Sequence, residues 1–321
     1  MSLALTDRQT REIETFCRIA RENGAAITLR ELIGLAAIDA SERELEGAFL
    51  SDSKLHSRFL LESGYVFERP LVAEEAAGKS VEEEKERRER ASANLDGATR
   101  FGRSIMGGTV MVSVSGSNSY LSASEKEDVD FFCVTSTNGM WKFMLKALML
   151  ARIHRLANRD VPELCFSCVM DRRWAENAFR TRQPPIFARD ALTAKLISGT
   201  AAYDALLRDA SWMESYFPVF YRMRLREAKL EEPRGPRPVP AVKEGSVVVN
   251  SLLYFIVGSF LRMKSWALNR RLTKEALRSS VFETKIGRGH YIYESNRYKN
   301  LSAIYEELAG ETARRTLINP E

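Results

Sequence analysis

Residues 112–135 read VSVSGSNSYLSASEKEDVDFFCVT, and the fold turns on this stretch. Alternating valine and serine mark a strand that delivers Gly116 and Ser117 to a tight turn. After a polar loop, a second strand presents Asp128 and Asp130. Residues two apart on a strand share a face, so both carboxylates converge on one site. Two unpaired anions there repel each other unless a cation lies between them. Magnesium or manganese, hard ions that prefer carboxylate and phosphate oxygen, are the natural occupants.

Downstream, residues 141–157 carry a helical pattern, and ELCFSCVMD at 163–171 reads as a third strand. Strand, turn, strand, helix, strand gives an α+β core on a mixed sheet. Strict alternation along the third strand puts Glu163, Cys165, Ser167, Val169 and Asp171 on one face. Cys165 and Cys168 then lie on opposite faces, which favours structural burial over a shared metal.

Upstream, helical periodicity runs over 6–23 and stops at Gly24, with shorter helices over 29–38 and 41–52. SRFLLESGYVFER, 57–69, reads as a strand pair turning at Gly64. Three helices and a small hairpin suggest a winged helix, a fold that either enters a DNA groove or serves as a packing module. The third helix segment, SERELEGAFLSDSK, carries four acids against two bases and is poor chemistry for phosphate contacts, so DNA binding is not favoured. The mixed-sign run VEEEKERRERASA within 73–98 reads as a solvated helix linking domains.

Beyond the third strand, helical patterns cover 188–210 and 212–216, then a proline-rich linker, EEPRGPRPVPAV. A further helical region spans about 246–280, before a short β-like GHYIYES and a terminal helix over 301–308. The expected organisation is a winged-helix domain at 1–72, a helical linker at 73–100, a mixed-sheet domain at 101–187 and a helical C-terminal domain at 188–321. Trp212, Phe217 and Phe220 cluster with Met213 and Tyr216 as a helix-packing core.

With 321 residues the chain can bury a core in each of two or three domains. Its 45% apolar and 28% charged content excludes wholesale disorder. A net charge of +5 leans toward nucleotides, nucleic acid or anionic surfaces without deciding among them. Four cysteines without paired CxxC units point to a reducing, cytoplasmic setting and no zinc site. The N-terminus lacks the pattern of a signal peptide. VVVNSLLYFIVGSFL, 247–261, is short for a membrane span and carries Asn250, so it reads as a buried core helix with no membrane partner. His56, His154 and His290 are isolated, with no partnered acid at a useful spacing.

The segment 112–135 resembles the catalytic signature of the DNA polymerase beta-like nucleotidyltransferases: hydrophobic strand, Gly-Ser, polar loop, then Asp-x-Asp among apolar residues. The resemblance extends over much of 105–308, to uncharacterised prokaryotic nucleotidyltransferase-domain proteins with a helix like FARDALTAKLISG and a segment like SWMESYFP. It implies that Gly116 and Ser117 contact the phosphates of a nucleoside triphosphate, ATP among the options. Asp128 and Asp130 would bind Mg2+ or Mn2+ and carry catalysis. The implied reaction transfers a nucleoside monophosphate to a hydroxyl acceptor, which RNA, a protein or a small molecule could supply.

The sequence departs from that pattern at three places. Leu121 stands where such proteins commonly carry glycine in the loop, and Glu127 adds charge just before the first aspartate. Many active members also place a third carboxylate mid-strand, where this chain has cysteine and serine. Only Glu163 or Asp171, at the strand's ends, offers a substitute. The alternative function is therefore a catalytically degraded domain that binds or regulates through its winged helix. Arg172, Arg173, Lys195, Arg222, Arg224 and Arg226 follow the strands as candidate phosphate or polynucleotide contacts.

Overall fold

The computed structural model describes residues 3–22, 25–69, 74–125, 127–157, 161–230, 242–275 and 281–318. The expected stop at Gly24 and nearly all of the proline-rich linker lie outside them. The protein is a mixed α+β structure carrying one small and one larger sheet.

The N-terminal part runs α1 (Asp7–Glu22), β1 (Ile27–Thr28), α2 (Leu29–Leu35), α3 (Glu42–Ser51), α4 (Ser53–Arg58), β2 (Phe59–Glu62) and β3 (Tyr65–Glu68). Its helix starts are written in the sequence. Thr28 and Glu31 close a capping box on α2, and Ser41 and Glu44 close another on α3, each satisfying two amide donors that would otherwise lack partners. Ser63 and Gly64 both hold positive φ, 52° and 81°, the two-residue turn that matches the twist of a hairpin. β1 then pairs with β3, giving the antiparallel order β1-β3-β2.

The charge run forms α5 (Glu74–Ile105), which is longer than expected and only partly solvated. Ala91, Ala98, Phe101 and Ile105 are buried, and so is Glu84. Glu84 accepts from the Ala26 amide at 3.3 Å and lies 3.4 Å from the Arg88 guanidinium, which also reaches Glu31 at 3.2 Å. The mixed charges that looked like a solvated face therefore tie α5 to the N-terminal helices. Burial pushes the Glu84 carboxyl up, and Arg88 and Arg87 oppose that rise.

The larger sheet has six strands in the order β7-β4-β5-β6-β9-β8. Its members are β4 (Thr109–Ser115), β5 (Val129–Thr135), β6 (Leu164–Asp171), β7 (Lys195–Ser198), β8 (Phe282–Ile286) and β9 (His290–Ser295). Only β5 and β6 run parallel, joined by α7 (Met140–Ala157); β4 is followed by the short turn helix α6 (Gly116–Ser119). The expected boundary between 187 and 188 falls inside this sheet, because β7, β8 and β9 come from the C-terminal stretch.

The helical pattern expected over 188–210 is interrupted by a strand: α9 (Pro185–Thr193), β7 and α10 (Thr200–Arg208) follow one another, preceded by α8 (Arg172–Arg180). Gly199 ends β7 at φ 86°, and a side chain there would collide with the Val110 carbonyl of β4, so the chain turns where only glycine fits.

Two cores flank the sheet. On one face Phe132, Val134 and Met170 pack with α8, α9, α10 and the N-terminal helices. Met213, Phe217, Trp212 and Phe220 join that core as the sequence suggested. On the other face Phe131, Cys133, Phe166 and Val169 pack with the end of α5, with α7 and with the long helix Val247–Lys274. That last helix is not the buried core helix expected from its composition. Asn250, Val257, Gly258 and Leu261 are covered, while most of its apolar side chains face solvent. The terminal helix Asn296–Ile318 also runs longer than expected.

Candidate metal centre

Ser115, the last residue of β4, pairs with Asp130 of β5, and Asp130 pairs with Cys165 of β6. The three strands thus align Gly116, Asp130 and Cys165 at one end of the sheet. One ligand atom from each of Asp128, Asp130 and Cys165 lies within 4.8 Å of the others, a group that could hold a metal ion.

Gly116 makes this packing possible. It holds φ 66°, and a Cβ there would stand 2.7 Å from Asp130 Oδ2. Ser117 follows in the same turn and remains partly exposed. Asn118 is buried and links the turn to the metal group: its amide donates to the Asp128 carbonyl at 2.9 Å and accepts from Asn94 of α5 at 2.9 Å. Arg87 and Arg90, also on α5, donate to the carbonyls of Ser122 and Ala123 at 3.0 Å each. The polar loop is therefore held from below by the helix that looked like a linker.

The two departures in that loop now have structural readings. Leu121 sits at φ 58°, in the left-handed region that glycine favours and a bulky residue resists. Glu127 turns its carboxylate back to accept from the Ser124 amide at 2.9 Å and lies 3.7 Å from Arg297.

Electrostatically the group is strained. Burial pushes the Asp130 carboxyl well above the usual carboxylate range, and Asp128 and Asp190 push it further. Asp128 is raised by burial too, with Glu163 and Glu127 adding to the effect. Cys165 is pushed up by burial and then by the two carboxylates, so it stands as a neutral thiol donating toward them. A cation between the carboxylates would relieve that repulsion.

Neither expected substitute supplies a third carboxylate. Asp171 lies at the far end of β6, seven residues from Leu164 and so about 20 Å along the strand. There it caps α8 by accepting from the Trp174 amide at 2.9 Å, and Arg172 and Arg173 leave the strand at that same distant end. Asp171 also faces His290, so that histidine has an acidic neighbour after all. Burial nonetheless holds the His290 imidazole below its ordinary value. Glu163 is exposed, and its carboxylate turns out to Arg155 at 2.6 Å.

The face assignment of β6 also changes. The pairing register slips between Asp130/Cys165 and Phe132/Cys168, a bulge that sets Phe166 and Ser167 against Phe131. Strict alternation fails there. Cys165 and Cys168 come to the same face, while Val169 moves to the other core.

Sequence reasoning left Cys165 to structural burial and missed Asp190 of α9. Tyr120 donates its hydroxyl to Asp190; Arg189 donates to that hydroxyl at 2.8 Å and to Tyr305 at 3.0 Å. Adjacent charges in the otherwise apolar PIFARDALTA were the available signal. Among the other basic candidates, Arg224 caps α9 through the carbonyls of Leu192 and Ala194, and Arg222 lies 3.7 Å from Glu214. Compared with protein-family models, with curated proteins and with solved structures, the chain finds no match in any of the three.

Proposed function

We propose that the chain is a metal-dependent nucleotidyltransferase that moves a nucleoside monophosphate from a nucleoside triphosphate to a hydroxyl acceptor, releasing pyrophosphate. The observation that carries this reading is the apposition of the Gly116 turn and Asp130, where a missing side chain makes room for a carboxylate beside a serine. An ordinary β-turn has no need of that closeness.

The donor set fits a divalent cation, Mg2+ or Mn2+, through Asp128 and Asp130, because two half-buried carboxylates with ligand atoms within 4.8 Å of one another raise the cost of each other's charge. The bound ion would neutralise charge on the triphosphate and on the departing pyrophosphate. The chain's own part is to orient and to exclude water. Ser117 offers a hydroxyl and the start of α6 offers backbone amides to the phosphates, while Asn118 fixes the carbonyl of Asp128 and so aims its side chain. The bond formed joins the acceptor oxygen to the α-phosphorus, and the α–β phosphoanhydride bond breaks. The acceptor's proton passes to a carboxylate of the site.

The order of α1, β1, α2, α3 and the β2–β3 hairpin supports a winged helix in the N-terminal part. The outward positions of α3 include Glu42, Glu44 and Glu46 against Arg43, which opposes contact with a phosphate backbone. A packing role suits it better.

Cys165 in the third position favours a second reading, a domain that binds nucleotide without turnover. Thermal-shift screening against ATP, CTP, GTP and UTP, with and without Mg2+ or Mn2+, tests the first. Stabilisation that requires metal and nucleotide together and vanishes in the Asp128→Asn, Asp130→Asn double variant is expected. Absence of any such shift overturns both readings. Metal-dependent nucleotide binding without turnover by the parent overturns the first alone.

A further inference from the structure

Helix α7 and the long helix Val247–Lys274 pack onto the same face of the large sheet, so their outward sides share one side of the molecule. Both leave apolar side chains in water there. Leu145, Met149, Ile153 and Leu156 form a stripe on α7, and Ile153 and Leu156 are 59% and 64% exposed. On the long helix Val248, Leu252, Phe255, Phe260, Met263 and Trp266 are exposed, Val248 reaching 78%. An apolar surface spread over two neighbouring helices marks an interaction site rather than a scatter of surface residues.

The charge of these helices is one-sided. Across the 18 residues of α7 and the 28 of the long helix there is no aspartate or glutamate. The chain as a whole carries 43 acids in 321 residues, so about six would be expected over that length. The charged residues are Lys142, Lys146, Arg152 and Arg155 on α7, and Arg262, Lys264, Arg270, Arg271 and Lys274 on the long helix. Some are engaged locally: Arg155 with Glu163, Arg271 with Glu275, and Arg270 over the Trp266 ring at 5.4 Å. None of those contacts places an acid on either helix.

We propose that this face docks on the surface of a bilayer containing anionic lipids, with the helices lying in the interfacial plane. Apolar side chains at the boundary of the acyl chains, basic residues at the level of the headgroups and a tryptophan between them are what such a surface selects. A second copy of the chain fits poorly, since pairing the face with itself would oppose basic residues across helices that carry no acid of their own. Spanning the bilayer fits poorly as well. Asn250 is fixed by the Trp141 amide at 3.0 Å and by the Arg288 carbonyl at 3.0 Å, which pins the helix to the domain.

Flotation of the full chain with vesicles tests the proposal. The protein should rise with phosphatidylcholine vesicles containing phosphatidylglycerol and stay behind with phosphatidylcholine alone. Binding should weaken as salt is raised, and Trp266 emission should shift to the blue on binding. The Phe255→Glu, Phe260→Glu double variant should lose flotation. Should that variant fail to fold, Lys264→Glu with Arg270→Glu carries the test, because each lost basic residue lowers partitioning about fivefold. No flotation with either vesicle overturns the proposal, as does equal flotation with both. A dimer that dissociates on Phe255→Glu, without flotation, overturns it in favour of a second copy.

Discussion

The two faces of the large sheet differ in the kind of unfavourable arrangement each retains. One face sets the half-buried Asp128 and Asp130 together and pushes both carboxyls up, while the other leaves phenylalanine, methionine and tryptophan in water. The first disfavours the protein's own folding, since two like charges are crowded together in a partly desolvated site. The second leaves folding intact and makes the surface adhesive. On the readings proposed above, a cation would relieve the first and an anionic bilayer surface would cover the second. The contrast can be broken by substitutions that affect only the strained face.

Gly116→Ala should have the largest effect. Alanine at φ 66° costs about 1–2 kcal/mol in backbone strain, and its Cβ at 2.7 Å from Asp130 Oδ2 forces further movement worth about 1–3 kcal/mol. Chemical denaturation should show a loss of about 3 kcal/mol, and metal binding should fall with it because the carboxylate is displaced. A variant as stable as the parent would mean that the turn and the carboxylate are not in contact.

That contact also shows how far the sequence could be read. Two strands, the turn at Gly116 and the shared face of Asp128 and Asp130 followed from alternation and spacing alone. The hairpin at Gly64 and the capped starts of α2 and α3 were equally plain, since each depends on residues within four positions of one another. What stayed hidden is non-local. The bulge in β6 depends on how that strand registers against Phe131, and it brings Cys168 to the face of Cys165 and Val169 to the other core. β7 is an edge strand of four residues whose apolar run resembles the helices on either side. The exposure of the long helix depends on what packs beside it, which hydropathy does not record.

Asp130→Asn sharpens the contrast from the electrostatic side. The folded pKa of Asp130 is raised, so its contribution to stability is complete below the unfolded value and is lost as pH rises through the folded one. The metal-free parent should therefore weaken as pH climbs out of the acidic range, and the asparagine variant, which keeps Asp128 and Glu84, should follow less steeply. Near neutral pH the variant should be the more stable by about 1–2 kcal/mol, with the gap closing toward acid. Added Mn2+ should reverse the ranking by stabilising the parent alone, as differential scanning calorimetry would show. Lys264→Glu, on the opposite face, should change none of these values.

Leu121 tests the strained face at its smallest scale. At φ 58° a leucine bears about 1–2 kcal/mol of backbone strain, but replacing it by glycine also removes a half-buried side chain, so the parent is a poor reference. The informative pair is Leu121→Gly against Leu121→Ala, since both discard the same side chain. In ordinary backbone alanine is the better residue by about 0.5–1 kcal/mol, because glycine has more freedom to lose on folding. At a left-handed position the order should invert, with the glycine variant more stable by up to about 1 kcal/mol in urea denaturation. An alanine variant at least as stable as the glycine one would remove the strain from this loop. It would leave the crowded carboxylates as the remaining unfavourable feature of the site.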